Sequence, residues 1–246
     1  MEKVIEICTG SYFDALNAFK GGAKRIELNS ALTLGGLTPS LSSLILTKQN
    51  TSLKVICMIR NRAGGFCYSE EDFRQMMMDA KLLLEKGADG LAYGFLNEDK
   101  TIDIEKTKIM TSLVKEYQKE AVFHRAFDIT PNPYQAIETL IDLKVDRVLT
   151  SGQKAKAIDG LALISDLQTR YGNKIEILAG AGVNSTNARY IMDYTGIRQI
   201  HSSCKNYLTD STTIGKDLNY SYLPNPNEDK YDIVDQELVR KLINSI

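Results

Sequence analysis

The stretch GGAKRIEL (residues 21–28) closes an amphipathic run with a glycine turn and enters a short run of strand-forming residues. Three later stretches do the same: KGADGLAYG (86–94), LKVDRVLTSG (143–152) and TGIRQIHSS (195–203). They recur roughly every 50–60 residues, the length of two βα units. Outward from them, short β-branched runs alternate with helical periodicity along the chain. Strand candidates are VIEIC (4–8), RIEL (25–28), KVICMIR (54–60), DGLAYG (89–94), AVFHR (121–125), DRVLT (146–150), IEILAG (175–180) and RQIHS (198–202). Between them Phe73, Met76, Met77, Ala80, Leu83 and Leu84 keep i, i+3, i+4, i+7 spacing, as do Ile137, Leu140 and Ile141. Thr38-Pro39 offers a helix N-cap with a proline in the first turn, and Ser69 with Asp72 resembles a capping box. Eight such units in about 250 residues fit a closed (βα)8 TIM barrel. An open doubly wound sheet would start with a glycine-rich turn, and CTGSYFD (8–14) lacks G-x-G-x-x-G. No boundary divides the chain, which reads as one barrel domain, 1–246. The polar stretch 205–234, with Pro224 and Pro226, reads as an extended loop before a last helix carrying Leu238, Val239, Leu242 and Ile243.

Thirty basic and 31 acidic side chains leave a net charge of −1, so no single-sign field exists to hold nucleic acid or a lipid surface. Cys8, Cys57, Cys67 and Cys204 show no CxxC spacing, and MEKVIEIC enters a strand pattern without a signal-peptide core. No run approaches the roughly 20 apolar residues of a membrane span. The expectation is a soluble cytoplasmic protein with free thiols.

Side chains alternate along a strand, so parity assigns faces. If Ile5 and Ile7 pack on helices, Glu6 and Cys8 point into the barrel. By the same logic Ile26 and Leu28 face outward and Arg25, Glu27 and Asn29 inward. Val55, Cys57 and Ile59 pack outside, leaving Arg60 at the interior top; the chain's two histidines, His124 and His201, share the inward parity of Val122 and Gln199. The C-terminal strand ends therefore gather Glu6, Cys8, Glu27, Asn29, Arg60, His124, Asp128, Ser151 and His201, on the face where barrel enzymes place their chemistry. Glu6 and Glu27 fit equally well a buried ion-pair layer with Arg25, Arg60 or Arg147. The plainer alternative for His124 and His201 is a histidine capping its own loop.

Glycines let backbone amides approach an anion. LAGAGVNSTNA (178–188) offers Gly180 and Gly182, and LTSGQKAKA (149–157) offers Ser151 and Gly152. Arg60 and Arg62 precede Gly64-Gly65 in a loop suited to clamping a carboxylate or phosphate. For a soft metal such as Cu(I), Cys8 is well placed. A harder ion would draw on Glu6, Glu27, His124 and His201. A Ser-His-Asp triad finds little support, because no nucleophile elbow is present.

Taken in order, VIEICTGSYFDALNAFKGGAKRIEL, GGLTPS, MIRNRAGGFCYSEEDF, GADGLAYG, FHRAFD, DRVLTSG, GAGVN and IHSS resemble the motifs of the CutC family, linked by name to copper homeostasis. The resemblance runs from residue 4 to about 204. It implies a cytoplasmic (βα)8 barrel, a homodimer or larger oligomer, and binding of Cu(I). Where the family often reads RIELC this chain reads RIELN, so Asn29 stands in place of a thiol and Cys8 is the matching cysteine that remains. Two functions follow. One is copper handling through Cys8. The other is an enzyme acting on a small carboxylated or phosphorylated metabolite, with Arg60 and the Gly180–Gly182 turn holding the anion. In that enzyme His124 and Glu27 or Glu6 exchange protons, His201 and Asp128 standing beside them.

Overall fold

The eight short apolar runs become eight parallel strands in the computed structural model, which describes residues 3–246. These are β1 (Val4–Thr9), β2 (Arg25–Leu28), β3 (Lys54–Met58), β4 (Gly90–Tyr93), β5 (Glu120–Phe123), β6 (Arg147–Thr150), β7 (Glu176–Ala179) and β8 (Gln199–Ser202). They pair in sequence order and β8 returns to β1, with Glu6 opposite both Arg25 and His201. The ring is closed, so the fold is the (βα)8 TIM barrel.

Helices α1 (Tyr12–Lys20), α2 (Leu41–Asn50), α3 (Glu70–Glu85), α4 (Ile104–Glu116), α5 (Pro133–Asp142), α6 (Leu161–Tyr171), α7 (Ala188–Thr195) and α8 (Gln236–Ile243) surround it. The strands turn Ile7, Ile26, Leu28, Val55, Cys57 and Phe123 outward into the helix layer, each with no solvent exposure. A separate small cluster, Ile56, Met58, Ala92 and Val122, fills the inside. The two apolar layers follow from period-two alternation between them. Among the described residues no helix is long and apolar enough to cross a membrane.

Two local expectations are corrected. Helix α2 is capped by Ser40, whose hydroxyl accepts from the Ser43 amide, and not by Thr38. Thr38 Oγ1 is committed elsewhere, accepting from the Arg60 amide at 3.0 Å. Ser69 does cap α3, accepting from the Asp72 amide.

The stretch 205–234 is also not wholly irregular. Its ends form an antiparallel ribbon, β9 (Lys205–Thr209) and β10 (Lys230–Val234), with Lys205 opposite Val234 and Asp232 opposite Tyr207. The strands are half-exposed and polar, so hydropathy alone does not reveal them. Docking against α1 holds them: the Val234 amide donates to Asp14 Oδ1 at 2.8 Å, and Asn17 Nδ2 donates to the Val234 carbonyl at 3.0 Å.

Candidate functional site

The barrel interior is charged at its base. Arg25 Nε lies 2.8 Å from Glu6 Oε2, and Arg147 reaches Glu6 at 3.9 Å, Glu120 at 2.9 Å and Glu176 at 3.0 Å. Arg25 also donates to Gln199 Oε1 at 2.7 Å. Glu6 is thus the centre of a buried ion-pair layer closing the bottom of the barrel. Burial pushes its carboxyl up, but Arg25, the hydrogen bond and charge of His201, and Arg147 outweigh this and hold its pKa at about 2.

Above that layer lies a cavity of about 300 Å³, at the small end of the range for metabolite sites. Cys8, Glu27, Asn29, Arg60, His124 and His201 all line it. Parity reasoning brought these six to one place because they end five different strands or the turns just beyond them. Glu27 belongs to no ion pair among the described residues. It accepts from Asn29 Nδ2 at 3.1 Å and lies 4.0 Å from Cys8 Sγ. Burial, then the nearby Glu6 charge, raises its pKa against the pull of His201 and Asn29.

The two histidines face this cavity in opposite states. His201 Nδ1 lies 2.9 Å from Glu6 Oε1. Burial opposes its charge, but hydrogen bonds to Cys8 and Glu6, with the Glu27 charge, lift its pKa well above 6.5, which favours the imidazolium. His124 follows β5 and does cap its own loop, its Nδ1 accepting from the Ala126 amide at 3.1 Å. Burial, and then the Arg60 charge, depress its pKa to about 3. It is therefore neutral, and because Nδ1 is an acceptor the proton sits on Nε2. That Nε2–H is buried and has no partner. Gly94 makes the ring position possible, since a methyl there would lie 2.5 Å from the imidazole.

Arg60 is buried and faces no carboxylate among the described residues. Its guanidinium donates to the carbonyls of Leu34 (2.8 Å), Gly36 (3.1 Å) and Gly64 (2.6 Å), leaving Nε unpartnered. It therefore holds its own loop, and through it Phe66, whose ring lies 5.3 Å from the guanidinium and 5.0 Å from His124.

Other expected residues stand apart from the cavity. Arg62 bonds Asp72 at 2.9 Å and the Cys67 carbonyl at 2.8 Å, bracing the loop from outside. Asp128 accepts from the amides of Ser151 and Gln153, the hydroxyls of Thr150 and Ser151, and Arg125 Nε. It organises the turn after β6, and Ser151 and Gly152 belong to that turn. Gly180 allows close packing, since a Cβ there would lie 2.7 Å from Leu149. Gly182 has φ +73 and sits beneath the Lys156 side chain, its carbonyl accepting from Asn187. None of these six lines the cavity, so the glycine turns pack behind it.

Sequence reasoning missed Leu32, Thr33, Gly35, Met58, Phe66, Arg125, Leu149, Ser203, Lys205 and Asp232, which complete the lining. Lys205 and Asp232 come from the ribbon, whose strands had no legible signal. Phe66 had one, as the aromatic directly after Gly64-Gly65.

For a metal, Cys8 Sγ, a Glu27 oxygen and a His201 ring nitrogen lie within 4.8 Å of one another. Cys57 faces the helix layer, and burial pushes its thiol up; Cys204 is buried away from the cavity and Cys67 is exposed. Met58 adds a thioether to the cavity wall, so the soft donors are one thiol and one thioether.

The profile of the CutC family matches residues 3–206. A family protein CutC from Treponema denticola is 44% identical over 243 residues, covering 98% of each chain. The human copper homeostasis protein cutC homolog is 39% identical over 202 residues, 82% of this chain and 73% of that one. The CutC structure from Streptococcus agalactiae superposes with a TM-score of 0.77 at 30% identity, covering 82% of this chain and 98% of that one. With the matched profile, these similarities over 82–98% of the chain and a shared closed barrel, the chain belongs to the CutC family.

Proposed function

We propose that this chain is an enzyme that moves a proton on a small carboxylated or phosphorylated metabolite held in the 300 Å³ cavity. The observation that carries the reading is the pair of histidines, one charged and one neutral, with the neutral Nε2–H unpartnered in a buried wall. A buried donor without an acceptor is costly unless a ligand supplies one. A carbonyl oxygen of the substrate fits it. As the C–H bond beside that carbonyl breaks, its electron pair moves onto the oxygen, where the His124 Nε2–H stabilises it. The proton passes to the Glu27 carboxylate, whose raised pKa suits a base, and returns to the product from Glu27 or His201. Glu6 keeps His201 oriented and charged. Arg60, with no carboxylate beside it, and Lys205 at the rim favour an anion.

A thermal-shift screen of carboxylated and phosphorylated metabolites tests the reading, with hits followed by NMR for exchange of substrate protons in D2O. Binders whose exchange is lost in Glu27→Gln and His124→Gln support it. A silent panel, or exchange untouched by both variants, overturns it.

Copper remains as a second reading because the human relative is named for copper homeostasis and because Cys8 and Met58 share one cavity with His201. In that case Cu(I) is cargo. Anaerobic titration against a competing chelator should then show one equivalent retained, and loss in Cys8→Ser and Met58→Leu. The four free thiols suit a reducing cytoplasm, and self-association as in the family resemblance is read directly by sedimentation.

A further inference from the structure

A second cavity, about 440 Å³, adjoins the first. The two share Leu32, Thr33 and Asp232 as a common wall. Their chemistry differs. The first is lined by acids, bases and arginine. The second is lined by three large aromatic side chains that remain well exposed: Phe13 of α1 (48%), Tyr222 (50%) and Tyr231 of β10 (38%). Among the described residues none of the three stacks on another ring. Large aromatics left open around one hollow are what a flat ligand group requires.

We infer that the substrate spans both cavities, with its anionic reactive end among Glu27, His124 and His201 and a flat aromatic ring in the second. The inference rests on the proposed reaction site and adds a substrate class to it: carboxylates or phosphates bearing an aromatic or heteroaromatic group. The shared wall supports one continuous ligand. Asp232 belongs to both cavities, and its Oδ1 accepts from the Tyr222 hydroxyl, which ties the aromatic wall to the rim of the charged site. The ribbon base is rigid where this matters, because Val234 is buried at 2% exposure and pinned to Asp14.

The position along the chain sharpens the point. Tyr222, Tyr231 and Asp232 lie beyond residue 206, where the family match ends. The human relative aligns over only 202 residues, whereas the Treponema denticola relative aligns over 243. The first cavity is thus built almost wholly from the matched barrel, and the second combines barrel residues with Tyr222, Tyr231, Asp232 and Ile233 from the segment beyond that match. Such a segment sets specificity without altering chemistry.

The test is calorimetric titration of the full chain with three acids of matched linker: butyrate, 4-cyclohexylbutyrate and 4-phenylbutyrate, and with inorganic phosphate and phenyl phosphate. The variants are Tyr231→Ala and Phe13→Ala, both exposed at these side chains. The expected result is that the phenyl compounds bind roughly tenfold tighter than their unsubstituted partners and tighter than the cyclohexyl acid. In both variants that advantage falls to threefold or less while binding of butyrate or phosphate is unchanged. If the unsubstituted anions bind but the phenyl group adds nothing, or if its advantage survives both variants, the second subsite is wrong and the reaction site stands. If no anion binds at all, both readings fall together.

Discussion

Replacing Glu6 with glutamine probes the charged floor of the barrel. Glu6 is 1% exposed and faces Arg25, Arg147 and His201. A carboxyl drawn from 4.5 down to about 2 carries about 3 kcal/mol of folding free energy. Removing one member of a buried ion pair typically costs about 3–5 kcal/mol, so the two scales agree. Because the folded pKa lies below the unfolded one, this stability is fully present above pH 4.5 and is lost as pH falls towards 2. Urea unfolding of the native chain and Glu6→Gln, followed by circular dichroism, should therefore differ by about 3 kcal/mol at pH 7. At pH 3 the gap should narrow to about 1 kcal/mol. A gap below about 1 kcal/mol at pH 7, or one of equal size at both pH values, would refute the reasoning.

The chain has two histidines, so long-range 15N–1H NMR resolves both: His124 should stay neutral with its proton on Nε2 from pH 5 to 8, and His201 should show both nitrogens protonated at pH 7. A His124 that titrates near 6.5 would contradict the structure. Gly94→Ala places a methyl 2.5 Å from the His124 ring, so it should lower stability by about 1–3 kcal/mol and shift the His124 resonances, with little change at His201. Asp128→Ala strips acceptors from the amides of Ser151 and Gln153 and should cost about 2–3 kcal/mol, with faster hydrogen exchange confined to residues 150–154. Unchanged exchange there would show that Asp128 does not hold the turn.

Much of the site could be read before any coordinates. A closed parallel ring has one geometric consequence, that every second residue of each strand faces the axis, and this brought Cys8, Glu27, Arg60, His124 and His201 to one cavity. What parity cannot give is the charge state of a side chain. His124 and His201 have the same residue type and the same parity, yet one lies beside Arg60 and the other beside Glu6. Parity gives no sign that burial and the Arg60 charge pull the His124 pKa down to about 3. Nor does spacing separate a glycine turn that binds an anion from one that packs a wall. Gly180 and Gly182 do the second, because Leu149 and Lys156 occupy the space beside them. The ribbon escaped because β10 is held at Val234 by Asp14 and Asn17, more than 200 residues away in sequence.

The Arg25–Glu6–Arg147 layer gives the barrel a floor. Whatever enters meets this floor below His201, where Arg147, at 1% exposure, closes the axis among the described residues. Arrival and departure must share one entrance, so a departing molecule blocks the next one. Inhibition of any turnover by its own end product should accordingly be competitive with the starting compound.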